Sequence, residues 1–183
     1  MISYIVAGAI VVCLVLFVIL TYNSLIRLRN QIGEAFSTMD VYFKKRFDLI
    51  PNLVNTVKGY AKHEAETLEK VIESRNSGLR STGSEKIEDE KAISGALKGI
   101  FALAESYPDL KANENFVNLQ NQLEAIETDI ANSRKYYNAV VKKYNDKCMT
   151  IPSNIIAAIF HFKPETMFSV DDAAERQNVK VEF

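Results

Sequence analysis

Between Ile2 and Tyr22 the chain carries no charged residue; the run ISYIVAGAIVVCLVLFVILTY is apolar almost throughout. About 20 residues at about 1.5 Å rise each cover roughly 30 Å, the hydrocarbon thickness of a bilayer. A helix that is apolar on every side has to be buried, either in protein or in lipid. The rest of the chain is polar enough to stand in water, so a membrane span is the preferred reading, with Ile5, Val12, Leu16 and Ile19 as anchor residues. A signal peptide would carry a basic start, a shorter apolar stretch and small residues before its cleavage site. Here no Lys or Arg precedes the run, and Thr21-Tyr22-Asn23 suits cleavage poorly. The expectation is an uncleaved anchor. Arg27 and Arg29 follow the run, then Lys44, Lys45 and Arg46. Positive flanks stay cytoplasmic, which predicts a single-pass protein of the inner membrane, amino terminus outside and body in the cytoplasm.

Beyond the anchor, apolar residues recur every three or four positions, the signature of amphipathic helices. Seven glycines, four prolines and no tryptophan in 183 residues leave few turn signals. The expected architecture is all-α: an N-terminal transmembrane helix, residues 1–22, then an antiparallel up-and-down four-helix bundle over about residues 23–150. The helices are placed at about 23–47, 49–76, 85–107 and 109–147. Pro51 lacks an amide hydrogen and would clash with the turn before it, so DLIP is read as a break, with a kink as the alternative. RNSGLRSTGSE, residues 75–85, is polar, holds two glycines and reads as a loop. Residues 151–183 are expected to form a short apolar helix, capped by Ser153 or Asn154, and a loose tail. That helix is too short to span; covering the open end of the bundle is the favoured role, contact with the membrane surface the alternative.

Chemistry is hard to find. His63-Glu64 lacks the second histidine, four residues on, that a zinc protease needs; position 67 is Thr. There are two histidines, and the cysteines, Cys13 and Cys148, form no CxxC pair. No catalytic residue, cofactor or metal is expected. A net charge of −1 gives no basic surface for nucleic acid. No small-molecule substrate is implied. Asn30, Asp40, Asn52, Asn121, Arg134 and Asn138 interrupt the apolar stripes and are read as groups that set helix register.

Two stretches carry a family resemblance. YNSLIRLRNQIGEAFSTMDVYFKKRFDLIPNLVNTVKGYAKHEAETLEKVIESRN resembles the hallmark region of the LemA family of bacterial membrane proteins, and SRKYYNAVVKKYNDKCMTIPSNIIAAIFHFKP resembles its second hallmark. The ending VKVEF is similar too, and Phe36 stands where the family commonly has tryptophan. The resemblance implies a membrane helix, a short exterior terminus, a helical body inside, and an accessory role in the cell envelope without enzymatic activity. The expected function is a non-enzymatic, membrane-anchored scaffold or adaptor for membrane or envelope proteins, held by the lipid bilayer. Its candidate partner surface is either the groove beside the proline, with Asp48, Pro51 and Asn52, or the apolar segment, with Ile155, Ile156, Phe160 and Phe162. The alternative is a signalling component with His63 as a phosphoacceptor.

Overall fold

In a computed structural model the chain is all-α, and no strand occurs among the described residues, 1–81 and 85–168, with the side chains of 85–88 set aside. The first helix, α1, runs unbroken from Ile2 to Tyr60, 59 residues or about 90 Å. Its character changes along its length. Up to Leu20 nearly every side chain is exposed; from Thr21 one stripe is buried, passing through Leu25, Ile32, Ala35, Met39, Phe43, Phe47, Ile50, Leu53 and Val57. The same rod is therefore first uniformly apolar and then one wall of the core.

The break expected at Pro51 is absent, and the helices placed at 23–47 and 49–76 are corrected accordingly. Pro51 lies inside α1. Its missing N–H leaves the Phe47 carbonyl, four residues back, without a helical donor. Arg75 Nε donates to that carbonyl at 2.9 Å, so a side chain from the next helix replaces the lost backbone bond. The corner falls later, at residues 61–64, the AKHE stretch, where the buried Ala61 ends the helix.

From that corner α2, Ala65–Arg80, packs on α3, Glu85–Ala104, and on α1. Residues 75–80, read from sequence as loop, are helical. Gly78 serves close approach here, since a Cβ on it would stand 2.8 Å from Phe47 Cζ and 3.0 Å from Ile93 Cδ1. A single turn, α4 (Pro108–Lys111), with proline in its first turn, leads to α5, Glu114–Met149. The fourth long helix thus starts after Asn113, whose side chain accepts from the Phe116 N–H at 3.0 Å, an N-cap bond. The α5 stripe Phe116, Leu119, Leu123, Ile130, Tyr137, Val140 and Tyr144 is buried as its periodicity predicts. Contacts at both ends relate α5 to α1: Asn113 Nδ2 donates to Tyr60 Oη at 2.9 Å, and Lys147 Nζ donates to Ser24 Oγ.

The chain then enters α6, Ser153–Ile159, which packs on α1 and α5. Ser153 is inside this helix and caps the other one: its hydroxyl donates to the carbonyls of Lys147, at 2.7 Å, and Thr150, at 3.0 Å, at the end of α5. Neither Ser153 nor Asn154 is the N-cap of α6. The helix ends in a Schellman arrangement, with His161 at φ 57 and the Phe162 N–H bonded to the Ala157 carbonyl at 2.9 Å. Residues 163–168 follow as an extended strap along α5, not as loose tail. The Asn145 carboxamide accepts from the Glu165 N–H and donates to the Glu165 carbonyl, both at 2.8 Å. Asn138 holds Phe168 the same way, both bonds at 2.9 Å. The spacing fits: seven helical residues rise about 10.5 Å, and three extended residues cover about 10 Å. The ending VKVEF lies outside the described residues.

Candidate functional site

The anchor residues Ile5, Val12, Leu16 and Ile19 are all exposed on the first part of α1. It is the one helix among the described residues that is long and apolar enough to cross a membrane, and its most apolar stretch is unburied by the rest of the protein. An unburied helix of this composition fits a membrane anchor, because water would face every side of it otherwise.

The residues of the two alternative partner surfaces lie in different parts of the molecule. Asp48, Pro51 and Asn52 share the exposed side of α1, which runs on without a corner at Pro51. Ile155 and Phe160 are exposed on α6, Ile156 is buried in the core, and Phe162 is half-buried beside Tyr22. Since α6 meets α1 near Tyr22, the two sets are separated by about 39 Å along the helix axis, 26 residues at 1.5 Å. His63 sits exposed on the turn between α1 and α2, at the end of α1 remote from the span.

What the sequence reading missed is a buried charge cluster. Arg46 is 0% exposed and Glu90, from α3, 1%. The guanidinium pairs with Glu90 Oε2, reaches Glu127 Oε1 of α5 at 2.6 Å, and donates to Ser94 Oγ at 3.1 Å. Arg134 Nη2 lies 3.9 Å from the same Glu90 oxygen. Three helices meet at this one cation, whose guanidinium also lies near the Phe43 and Phe47 rings. Burial pushes the Glu90 carboxyl up to about 7, against the opposing pull of Arg46. The cluster was legible in one respect. Arg46 stands seven residues from both Met39 and Leu53, on the core stripe, while its neighbours Lys44 and Lys45 point outward. Glu90 likewise leads the Ile93, Leu97, Ile100 stripe.

This arrangement ties α1, α3 and α5 together through one cation. Glu90 is closed from solvent, and the cluster contains no hydroxyl besides Ser94 among the groups bonded to Arg46. Arg134 extends the cluster outward, with its guanidinium 5.9 Å from the centre of the Phe168 ring at the end of the strap. Of the residues assigned to register, Asn138 holds the strap instead. Among the described residues no group of three or more His, Cys, Asp or Glu is placed to hold a metal ion. Cys13 is exposed on the apolar part of α1 and Cys148 is buried, with burial pushing its thiol up.

The LemA family model matches residues 35–183, which takes in the buried stripe of α1 from Ala35 on, the charge cluster, both Asn–strap pairs and α6. The chain belongs to the LemA family. Protein LemA of Metamycoplasma hominis is 29% identical over 140 residues, 74% of this chain and 63% of that protein. Magnetosome protein MamQ 2 of Paramagnetospirillum magneticum is 23% identical over 192 residues, 90% of this chain and 71% of that protein, and MamQ 1 gives the same figures. The chain therefore spans a little under two thirds of its LemA relative. Phe36, where tryptophan is common in the family, is half-buried, with its ring centre 6.2 Å from that of Tyr137.

Proposed function

We propose that this LemA protein is a non-enzymatic, membrane-anchored scaffold that holds a helical body at a fixed distance and orientation from the bilayer and presents it to other envelope proteins. The observation that carries the reading is the continuity of α1: residues that suit lipid and residues that build the core belong to one uninterrupted helix. A joint there would let the body swing. A single rod passes the orientation of the anchor to everything packed on it.

In this reading residues 1–22 form the anchor and residues 23–60, α2, α3 and α5 form an antiparallel up-and-down four-helix bundle, supported by the bonds that join Asn113 to Tyr60 and Lys147 to Ser24. The amino terminus lies outside and the body in the cytoplasm, as the cations after the span favour. The partner meets the exposed side of α1 at Asp48, Pro51 and Asn52. The partner is a protein of the same membrane or envelope.

Two measurements test this. Alkaline carbonate leaves the full chain in the membrane if α1 spans it; release into the supernatant contradicts the anchor. Photo-crosslinkers at Asp48 and Asn52 on the full chain in native membranes give discrete adducts that are identical between preparations. Adducts no more reproducible than those from Lys98, exposed on α3, contradict the partner face.

A further inference from the structure

From Cys148 to Phe162 the chain holds no Lys, Arg, Asp or Glu, and α6 lies within that stretch. Its inner side, Ile156 and Ala157, is buried in the core. Its outer side carries Ile155 and Ile159, 57% and 61% exposed, and Ile151, in the turn just before the helix, is 83% exposed. Met149 and Phe160 beside them are exposed as well. A helix segment that covers the core with one side normally presents charge on the other; one that is apolar on both sides is covered on both.

Its position says by what. Tyr22, the last residue of the uncharged run, has its ring centre 4.8 Å from that of Phe160 and 5.7 Å from that of Phe162. Lys147, just before the apolar stretch, reaches Ser24. The α6 segment is thus fastened to α1 at the level where the lipid-length run ends. Exposed Arg27 and Lys163 lie close in sequence to that junction, on either side of the contact. Aromatic rings and cations beside apolar surface make the composition of a membrane–water interface.

We propose that α6 is a second membrane contact, an in-plane foot whose Ile155 and Ile159 side, with Ile151 in the turn before it, enters the boundary between headgroups and acyl chains beside the span. The inference rests on anchoring by α1 and goes beyond it. With a rod through the bilayer and a foot on it, the body is fixed in tilt as well as in height, and its rotation about α1 is stopped.

The chain has no tryptophan, so one introduced tryptophan reports its own surroundings. L14W, I155W, I159W and K58W are each placed in the full chain and reconstituted in phosphatidylcholine vesicles with a minority of phosphatidylglycerol. Part of the phosphatidylcholine is brominated either near the headgroup or near the mid-plane. L14W is quenched most by mid-plane bromine. I155W and I159W show blue-shifted emission and are quenched at least twofold more by headgroup-proximal than by mid-plane bromine, while K58W responds to neither. An unquenched L14W overturns the anchor and the foot together. A quenched L14W with I155W and I159W as insensitive as K58W overturns the foot alone. Tryptophans at 155 and 159 that are shielded from aqueous iodide yet untouched by brominated lipid also overturn it, and assign the face to a second copy of the chain.

Discussion

Arg75 Nε lies 2.9 Å from the carbonyl oxygen of Phe47, the oxygen that Pro51 leaves free. The bond lets a proline sit inside a helix that carries about a third of the core. A partly buried carbonyl left without a donor costs about 1–3 kcal/mol. Arg75→Met keeps most of the stem and removes the donor, so it lowers stability by about that amount in urea unfolding of the detergent-solubilised chain. Pro51→Ala restores the backbone N–H. In the double variant the loss from Arg75→Met shrinks by on the order of 1 kcal/mol, a coupling read from a double-mutant cycle. Strictly additive losses would disconnect the two residues.

Gly78 and Phe47 give a second, independent prediction. In an open helix Gly→Ala stabilises by about 1 kcal/mol. At Gly78 the added methyl would stand 2.8 Å from the Phe47 ring, and overpacking of this kind costs about 1–3 kcal/mol. Gly78→Ala therefore lowers the melting temperature, whereas Gly95→Ala on α3, where nothing lies within 4 Å, raises it. Equal effects of the two exchanges would contradict the packing described.

Stability depends on pH through Glu90. Its carboxyl is pushed up to about 7 from 4.5, chiefly by burial. Between these values the folded chain keeps a proton that the unfolded chain has lost. The contribution is complete below about 4.5, fades as pH rises and is gone above about 7. At about 1.4 kcal/mol per pH unit this one group makes the chain more stable at pH 5 than at pH 8 by up to about 3 kcal/mol. Unfolding of the wild type and of Glu90→Gln across that range checks the sign: the wild-type slope flattens in the variant. Arg46→Met, which leaves the carboxylate without its main partner, is the more damaging change, by about 3–5 kcal/mol.

The strap on α5 is held by side chains, so it can be released without disturbing the helix. Asn138→Ala removes both bonds to Phe168, and Asn145→Ala both bonds to Glu165. At about 0.5–1.5 kcal/mol per bond, each change raises amide exchange at its own strap residue roughly tenfold. Exchange in the middle of α5 stays unchanged. Asn138→Ala also frees Phe168, whose ring lies 5.2 Å from that of Tyr137, and so has the larger effect on melting.

Much of this fold is legible in the amino-acid sequence. The helical stripes mark the core on all four long helices, since periodicity reports which side of a helix faces its neighbours. The family resemblance and the apolar N-terminal helix are equally plain. Three misreadings share one cause, which is that the deciding contact is remote in sequence. Pro51 breaks a helix locally, but its rescue comes from Arg75 on another helix. Gly78 in a polar stretch looks like a turn, yet it makes room for Phe47. Arg46 in KKR looks like a flank charge, and its partner Glu90 is 44 residues away.

Continuity of α1 from the span to the far end of the body is measured most directly by pulsed electron–electron distances. Spin labels at Asn23 and Lys58, both exposed, are placed in the full chain with Cys13 and Cys148 replaced by serine, in lipid nanodiscs. One unbroken helix puts them about 52 Å apart, 35 residues at 1.5 Å. A distance near 30 Å, as a chain folding back at Asp48–Pro51 would give, contradicts the single rod and the scaffold built on it.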